Sequence, residues 1–254
     1  MPAWRKVALT GLLVLVAFAI LCGLGIWQMQ RLAWKNGLIA MVEERVEKPA
    51  VPLPEESEWP AVNREEDEYR KVTLSGEFRH DLEAPVFTTL DDPKFGLNGA
   101  GYWILTPLRL PDGSIVMVNR GFVPIERKDP ATRPEGQVDG EVDVTGLLRM
   151  PERGNLFTPD ADPGANAWFV RDPASIAEAR NLDRVAPFFI DADATPNPGG
   201  LPIGGTTRVQ FRNDHLGYAL TWFGLALALG VVFAVWAAGQ LRQNRNLAGH
   251  QPRQ

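Results

Sequence analysis

Every one of the 31 Asp and Glu residues falls between positions 28 and 214, and the chain on either side is apolar and basic. Residues 7–27 form a run of 21 without a charge, and residues 216–238 a run of 23. As helices these runs reach roughly 31 and 35 Å, enough for a hydrocarbon core of about 30 Å. The middle holds 21 basic against 31 acidic residues, a formal −10, while Arg5, Lys6, Arg242, Arg245 and Arg253 give the ends +5. The overall −5 therefore hides an acidic body between two membrane spans. It excludes a strongly basic nucleic-acid binder, because no Lys/Arg-rich face or RNA-binding signature appears in the body.

Aromatic residues mark the edges of the spans: Trp4 and Trp236 at the basic ends, and Trp27, Trp34, Tyr218 and Trp222 at the other side. Arg5 and Lys6 before the first span, with Arg242 and Arg245 after the second, place residues 1–6 and 239–254 in the cytoplasm. The intervening 28–214 is then periplasmic. Arg31, Lys35, Arg208 and Arg212 moderate this bias, but long loops translocate largely regardless of charge. Two rivals bear on the first span. A signal peptide cleaved at Ala17-Phe18-Ala19 would have an apolar run ending there, yet it continues through Trp27. A lipid anchor on Cys22 would want a small residue before it, where Leu21 stands. As the only cysteine, Cys22 reads as a buried apolar thiol and allows no internal disulfide.

After the first span, residues 28–46 read as a helix leaving the membrane, with Gly37 as its weak point. Pro49, Pro52, Pro54 and Pro60 enforce an extended connector, and Glu65-Glu66-Asp67-Glu68 reads as a solvated turn. Strand-like stretches follow at 69–78, 85–90, 101–108, 114–121, 142–148, 167–170 and 187–192. Pro111-Asp112-Gly113 makes a hairpin between two of them, since glycine tolerates positive φ. Residues 173–180 form a short helix with proline in its first turn. With no alternation of strand and helix, the expectation is an antiparallel β-rich domain, and for the whole chain an α+β membrane protein.

The motifs for chemistry are few. Gly23-Leu24-Gly25 lies inside a span and reads as helix packing, not a nucleotide cradle. The glycines at 199–205 lack a phosphate-loop lysine and read as a connector. The body offers only His80 as a catalytic imidazole, with no Gly-x-Ser-x-Gly elbow. One cysteine and three scattered histidines argue against a copper site. Neither an enzyme nor a copper site is expected from these absences.

His215 stands out, following Arg212-Asn213-Asp214 and opening the second span. It admits two readings. In one, Asn213 or Asp214 caps the helix and His215 is a wet interfacial flank. In the other, a neutral imidazole at a membrane edge serves as an axial ligand for haem iron. Tyr218 and Trp222 share its helix face and would flank a macrocycle, or else form an aromatic belt. Arg208 and Arg212 lie near enough to meet anionic propionates, or else anchor the interface.

Several words in fixed order give the chain a resemblance. They are Gly25-Ile26-Trp27-Gln28, Arg31-Leu32-Ala33-Trp34-Lys35, Tyr69-Arg70-Lys71-Val72 with Gly76, and Gly101-Tyr102-Trp103-Ile104-Leu105-Thr106-Pro107. Further on stand Val118-Asn119-Arg120-Gly121-Phe122-Val123-Pro124, Gly204-Gly205-Thr206, and Asn213-Asp214-His215-Leu216-Gly217-Tyr218-Ala219-Leu220-Thr221-Trp222-Phe223-Gly224. Over nearly its whole length the chain resembles the Surfeit locus protein 1 family, membrane proteins that assist assembly of haem-copper cytochrome c oxidase. The resemblance implies a bacterial plasma-membrane protein that binds haem a transiently, with His215 as ligand. It further implies delivery towards oxidase subunit I, with haem A synthase and assembly intermediates as partners. A haem-free scaffold that stabilises an oxidase intermediate is the alternative, and a membrane-tethered enzyme a distant third. The lack of an Arg/Ser-rich transit segment before the first span is the reason to expect a bacterial membrane over a mitochondrial one.

Overall fold

The computed structural model describes residues 3–92, 95–206 and 213–249. They divide into two compact units, Met1–Ala40 with Gln210–Gln254, and Met41–Val209.

The first unit is built from two long helices. Helix α1 runs unbroken over Ala3–Glu47, straight through Gly37, and the first proline after it is Pro49. Helix α4 covers His215–Gly249. Both are long and apolar enough to cross a membrane. They pack antiparallel: a Cβ at Gly25 would stand 2.6 Å from the Phe223 ring, and one at Gly11 would stand 3.1 Å from Phe233. Ala219 and Ala226 are buried in the same seam. Small residues set against rings let the two backbones approach closely, which drives helix pairing where lipid removes the hydrophobic effect. Gly25 thus has the packing role expected of it, while Gly23 meets nothing within 4 Å.

The second unit carries seven strands among the described residues: β1 (Val51–Pro52), β2 (Lys71–Phe78), β3 (Ala84–Asp92), β4 (Leu97–Arg109), β5 (Ile115–Pro124), β6 (Glu141–Arg149) and β7 (Val185–Ala192). They form one sheet in the order β1-β2-β6-β7-β5-β4-β3, and β2 also pairs with β4 through Glu77↔Arg109 and Phe78↔Leu108. That last pairing closes β2, β6, β7, β5 and β4 into a five-stranded ring, with β1 and β3 added outside it. Strands β6, β2, β4 and β5 lie side by side in that order, and β7 fills the gap between β6 and β5.

The expected antiparallel domain is corrected here. The β5–β7 and β1–β2 pairs are parallel. Direction can alternate around a closed ring only when the strand number is even, so five strands require a parallel pair. Residues 167–170 are not a strand; they make isolated bridges at Val86↔Trp168 and Asp162↔Ala167, and Trp168 is buried. The acidic run is solvated only in its first half, at the exposed Glu65 and Glu66. Arg64–Asp67 is a helical turn (α2), and Asp67 and Glu68 are buried because Arg70, Arg64 and Arg149 pair with them.

Two cores sit on the two faces of the sheet. Val72, Leu74, Leu108, Val116, Val118, Phe188 and Ile190 fill the interior of the ring, with Trp59. Ala84, Val86, Leu105, Met117, Trp168 and Phe189 pack outside it beneath Ile176. Strand β5 is buried on both sides, which is why Ile115-Val116-Met117-Val118 is continuously apolar rather than alternating. Ile176 comes from α3 (Pro173–Arg180), which begins where the Asp172 carboxylate accepts from Ala174 N–H and ends at Asn181 in the left-handed conformation. The β4–β5 turn forms as expected, with Gly113 at φ +84° and its N–H donated to Leu110.

Candidate functional site

His215 begins α4, and the Asp214 carbonyl accepts from Tyr218 N–H in the first turn. The Asn213 side chain does not cap this helix. Its amide donates to Asn36 Oδ1 at 2.7 Å, and its own Oδ1 has no partner. His215 is half-buried, and its Nδ1 lies 2.7 Å from Oε1 of Gln28 on α1. Gln28 is only 8 % exposed, so the contact is sheltered from competing water. Among the described residues Nε2 of His215 has no hydrogen-bond partner, leaving one ring nitrogen for a ligand.

At 3.6 residues per turn, positions 215, 218 and 222 share one helix face. Tyr218 is exposed and Trp222 half-buried there. Arg208 and Arg212 lie outside the described residues. Gln28 is the member of this site that sequence reasoning missed. It stood in the sequence only as the first polar residue after the apolar run and as the end of the Gly25-Ile26-Trp27-Gln28 word, and neither gave it a role at the site. Among the described residues no group of three or more His, Cys, Asp or Glu side chains is placed to hold a metal ion.

Two buried polar clusters lie in the β domain. In the first, Asp191 on β7 accepts from Asn119 at 2.7 Å and Arg171 at 3.0 Å through Oδ1, and from Arg149 at 2.7 Å through Oδ2. Arg149 continues to Glu68 and Arg171 to Glu152, and the Arg171 guanidinium lies 3.9 Å from the Trp103 ring centroid. Charges alternate along this chain, so it ties α2, β6, β7 and the segment before α3 together without a surplus cation. A cavity of about 780 Å³ opens beside it, lined by Arg64, Arg149, Glu152 and Phe169.

The second cluster surrounds His80. Its Nε2–H donates to Val138 O at 3.0 Å, so Nδ1 accepts from Arg120 at 3.4 Å. Burial lowers the His80 pKa, and the Arg120 charge adds to that effect. Arg120 is 2 % exposed and lies over the Phe78 ring; burial brings its pKa down to about 10. Glu83 pairs with Arg133, yet burial pushes its carboxyl pKa up.

The SURF1 family model matches residues 15–227, from within α1 through the whole β domain to beyond Trp222. Surfeit locus protein 1 of Rattus norvegicus is 39 % identical over 216 residues, covering 81 % of this chain and 68 % of the relative. That of Homo sapiens is 39 % identical over 217 residues, covering 81 % and 70 %. A SURF1-like protein of Drosophila melanogaster is 38 % identical over 237 residues, covering 88 % and 76 %. The family model thus takes in most of the chain, from α1 through the closed sheet into α4, and the chain belongs to the SURF1 family.

Proposed function

We propose that this protein is an assembly factor for haem-copper cytochrome c oxidase, which binds haem a through His215 and aids its delivery to subunit I. The observation that carries the reading is the imidazole itself: one nitrogen is held by Gln28 across a helix pair, and the other has no hydrogen-bond partner among the described residues. A half-buried histidine at the start of an apolar helix fits a flat, amphipathic cargo, since the ring of the macrocycle prefers the bilayer and its carboxylates prefer the water. A neutral imidazole nitrogen of this kind would serve as a ligand to haem iron. Tyr218 and Trp222 lie along the same face to flank the ring, and Arg208 and Arg212 stand close in sequence to meet its propionates. The two spans hold the protein in a bacterial plasma membrane, with both termini cytoplasmic and the β domain outside. That position suits receipt of haem a from haem A synthase.

Absorption spectra test the reading. The full chain is expressed in cells that make haem A, purified in detergent, and compared with His215→Ala. Loss of the haem a spectrum in the variant is the expected result. A spectrum retained unchanged would sink the ligand assignment. Absence of haem from both proteins, with subunit I still co-purifying, would favour the haem-free scaffold.

A further inference from the structure

We infer that Gln28 is a positioning residue for His215: its side-chain carbonyl holds the imidazole in the Nδ1–H form and aims Nε2 as the ligand. This rests on the reading that His215 binds iron, and it adds which nitrogen does so and what makes it available.

Three observations converge. The contact is short, 2.7 Å, between residues 187 apart in the chain and on different helices. Gln28 is 8 % exposed on a helix whose neighbouring Trp27 and Met29 are exposed, so the amide faces the seam. It also stands one turn beyond Gly25, whose missing side chain lets the backbone approach Phe223 of α4. That close packing sets the separation across which Gln28 reaches His215.

The chemistry follows from the acceptor. A carbonyl oxygen can only accept, so the proton must sit on Nδ1 and the lone pair on Nε2. A metal-bound histidine gains orientation and basicity from a partner on its second nitrogen, and losing that partner lowers metal affinity about 10–100-fold. The acceptor here is a neutral amide, which orients the ring but pushes less electron density onto it than a carboxylate would. Such a ligand is firm enough to hold a cargo and weak enough to release it.

The test uses the full chain in lipid nanodiscs. In the haem-free protein, ¹⁵N chemical shifts of the His215 ring report the tautomer. The Nδ1–H form is expected in the parent and an Nε2–H or mixed form in Gln28→Ala. An Nε2–H ring in the parent overturns the inference, whatever binds there. Haem A is then titrated into each protein. Gln28→Ala is expected to bind about 10–100-fold more weakly. Gln28→Glu keeps the acceptor, and is expected to retain affinity and lower the reduction potential of the bound iron. Unchanged affinity in Gln28→Ala together with an unchanged potential in Gln28→Glu would also overturn it. If His215→Ala binds haem A as the parent does, the ligand reading fails separately, because the tautomer measurement needs no haem.

Discussion

Arg149 reaches Asp191 at 2.7 Å across the ladder between β6 and β7, and the aspartate is 1 % exposed. The pair sits in the middle of a chain of alternating charges that includes Glu68, Arg171 and Glu152. Its stabilising value comes from completeness, since each buried charge there is costly once its neighbour is gone.

Asp191→Ala therefore removes one carboxylate and leaves the buried Arg171 and the largely buried Arg149 guanidinium groups short of a partner. Thermal unfolding of the full chain in detergent is expected to show a loss of about 3–5 kcal/mol. Breaking the exposed Arg79–Asp81 pair by Asp81→Ala serves as the control, with an expected loss of less than about 1 kcal/mol. Equal losses in the two variants would remove the distinction between buried and exposed pairs.

The helix pair depends on Gly25. A Cβ there would stand 2.6 Å from the Phe223 ring, so Gly25→Ala must shift a ring or separate the helices. Weaker pairing of α1 and α4 is expected, measured by cysteine cross-linking between them in nanodiscs. Phe223→Ala in the same chain should restore much of the cross-linking, because residues in contact couple strongly. No rescue would mean that the two positions do not meet.

Gly121 in β5 has φ +125°, and a Cβ would stand 2.0 Å from the Ile203 carbonyl oxygen. That carbonyl accepts from Phe122 N–H at 2.9 Å. Gly121→Ala is expected to cost at least about 1–3 kcal/mol from backbone strain alone. Faster hydrogen exchange at Phe122 N–H would place the damage at this bond.

Acid should weaken the β domain through His80. Burial lowers its pKa in the folded state below the ordinary value of about 6.5. Above that pH both folded and unfolded rings are neutral, and the folded state keeps its full stability. As pH falls below it, the unfolded ring takes up a proton that the folded ring refuses, so stability drops until the folded pKa is passed. Relative to His80→Gln, the parent should lose less than about 1.4 kcal/mol per pH unit in that window. Glu83 works in the opposite sense, its raised pKa withdrawing stability as pH rises from about 4.5. The difference between parent and variant isolates the histidine, and parallel pH profiles would discard it as the source.

Local patterns made much of this fold legible. The short helix at 173–180, the Gly113 turn and most of the strands follow from caps, turn residues and alternation, all of which act over a few positions. Pairing was not legible. The sequence of β7 does not carry the direction of its neighbours, and only closure to five strands makes a parallel pair necessary. Glu68 looked solvated because its partner Arg149 lies 81 residues away. At the site, His215, Tyr218 and Trp222 were visible as a helical spacing. Gln28 was hidden because a polar residue at the end of an apolar run ordinarily means water, and here it meets an imidazole.

Strand β7 is the last of the seven to leave the ribosome, yet it stands between β5 and β6 in the finished sheet. Until residue 192 has been synthesised, two strands of the ring have no neighbour along one side and the interior stays open to solvent. The first span has by then long been made, and the second begins only some two dozen residues later. Closure is thereby ordered in time: the ring is sealed only as the second long helix begins to be made.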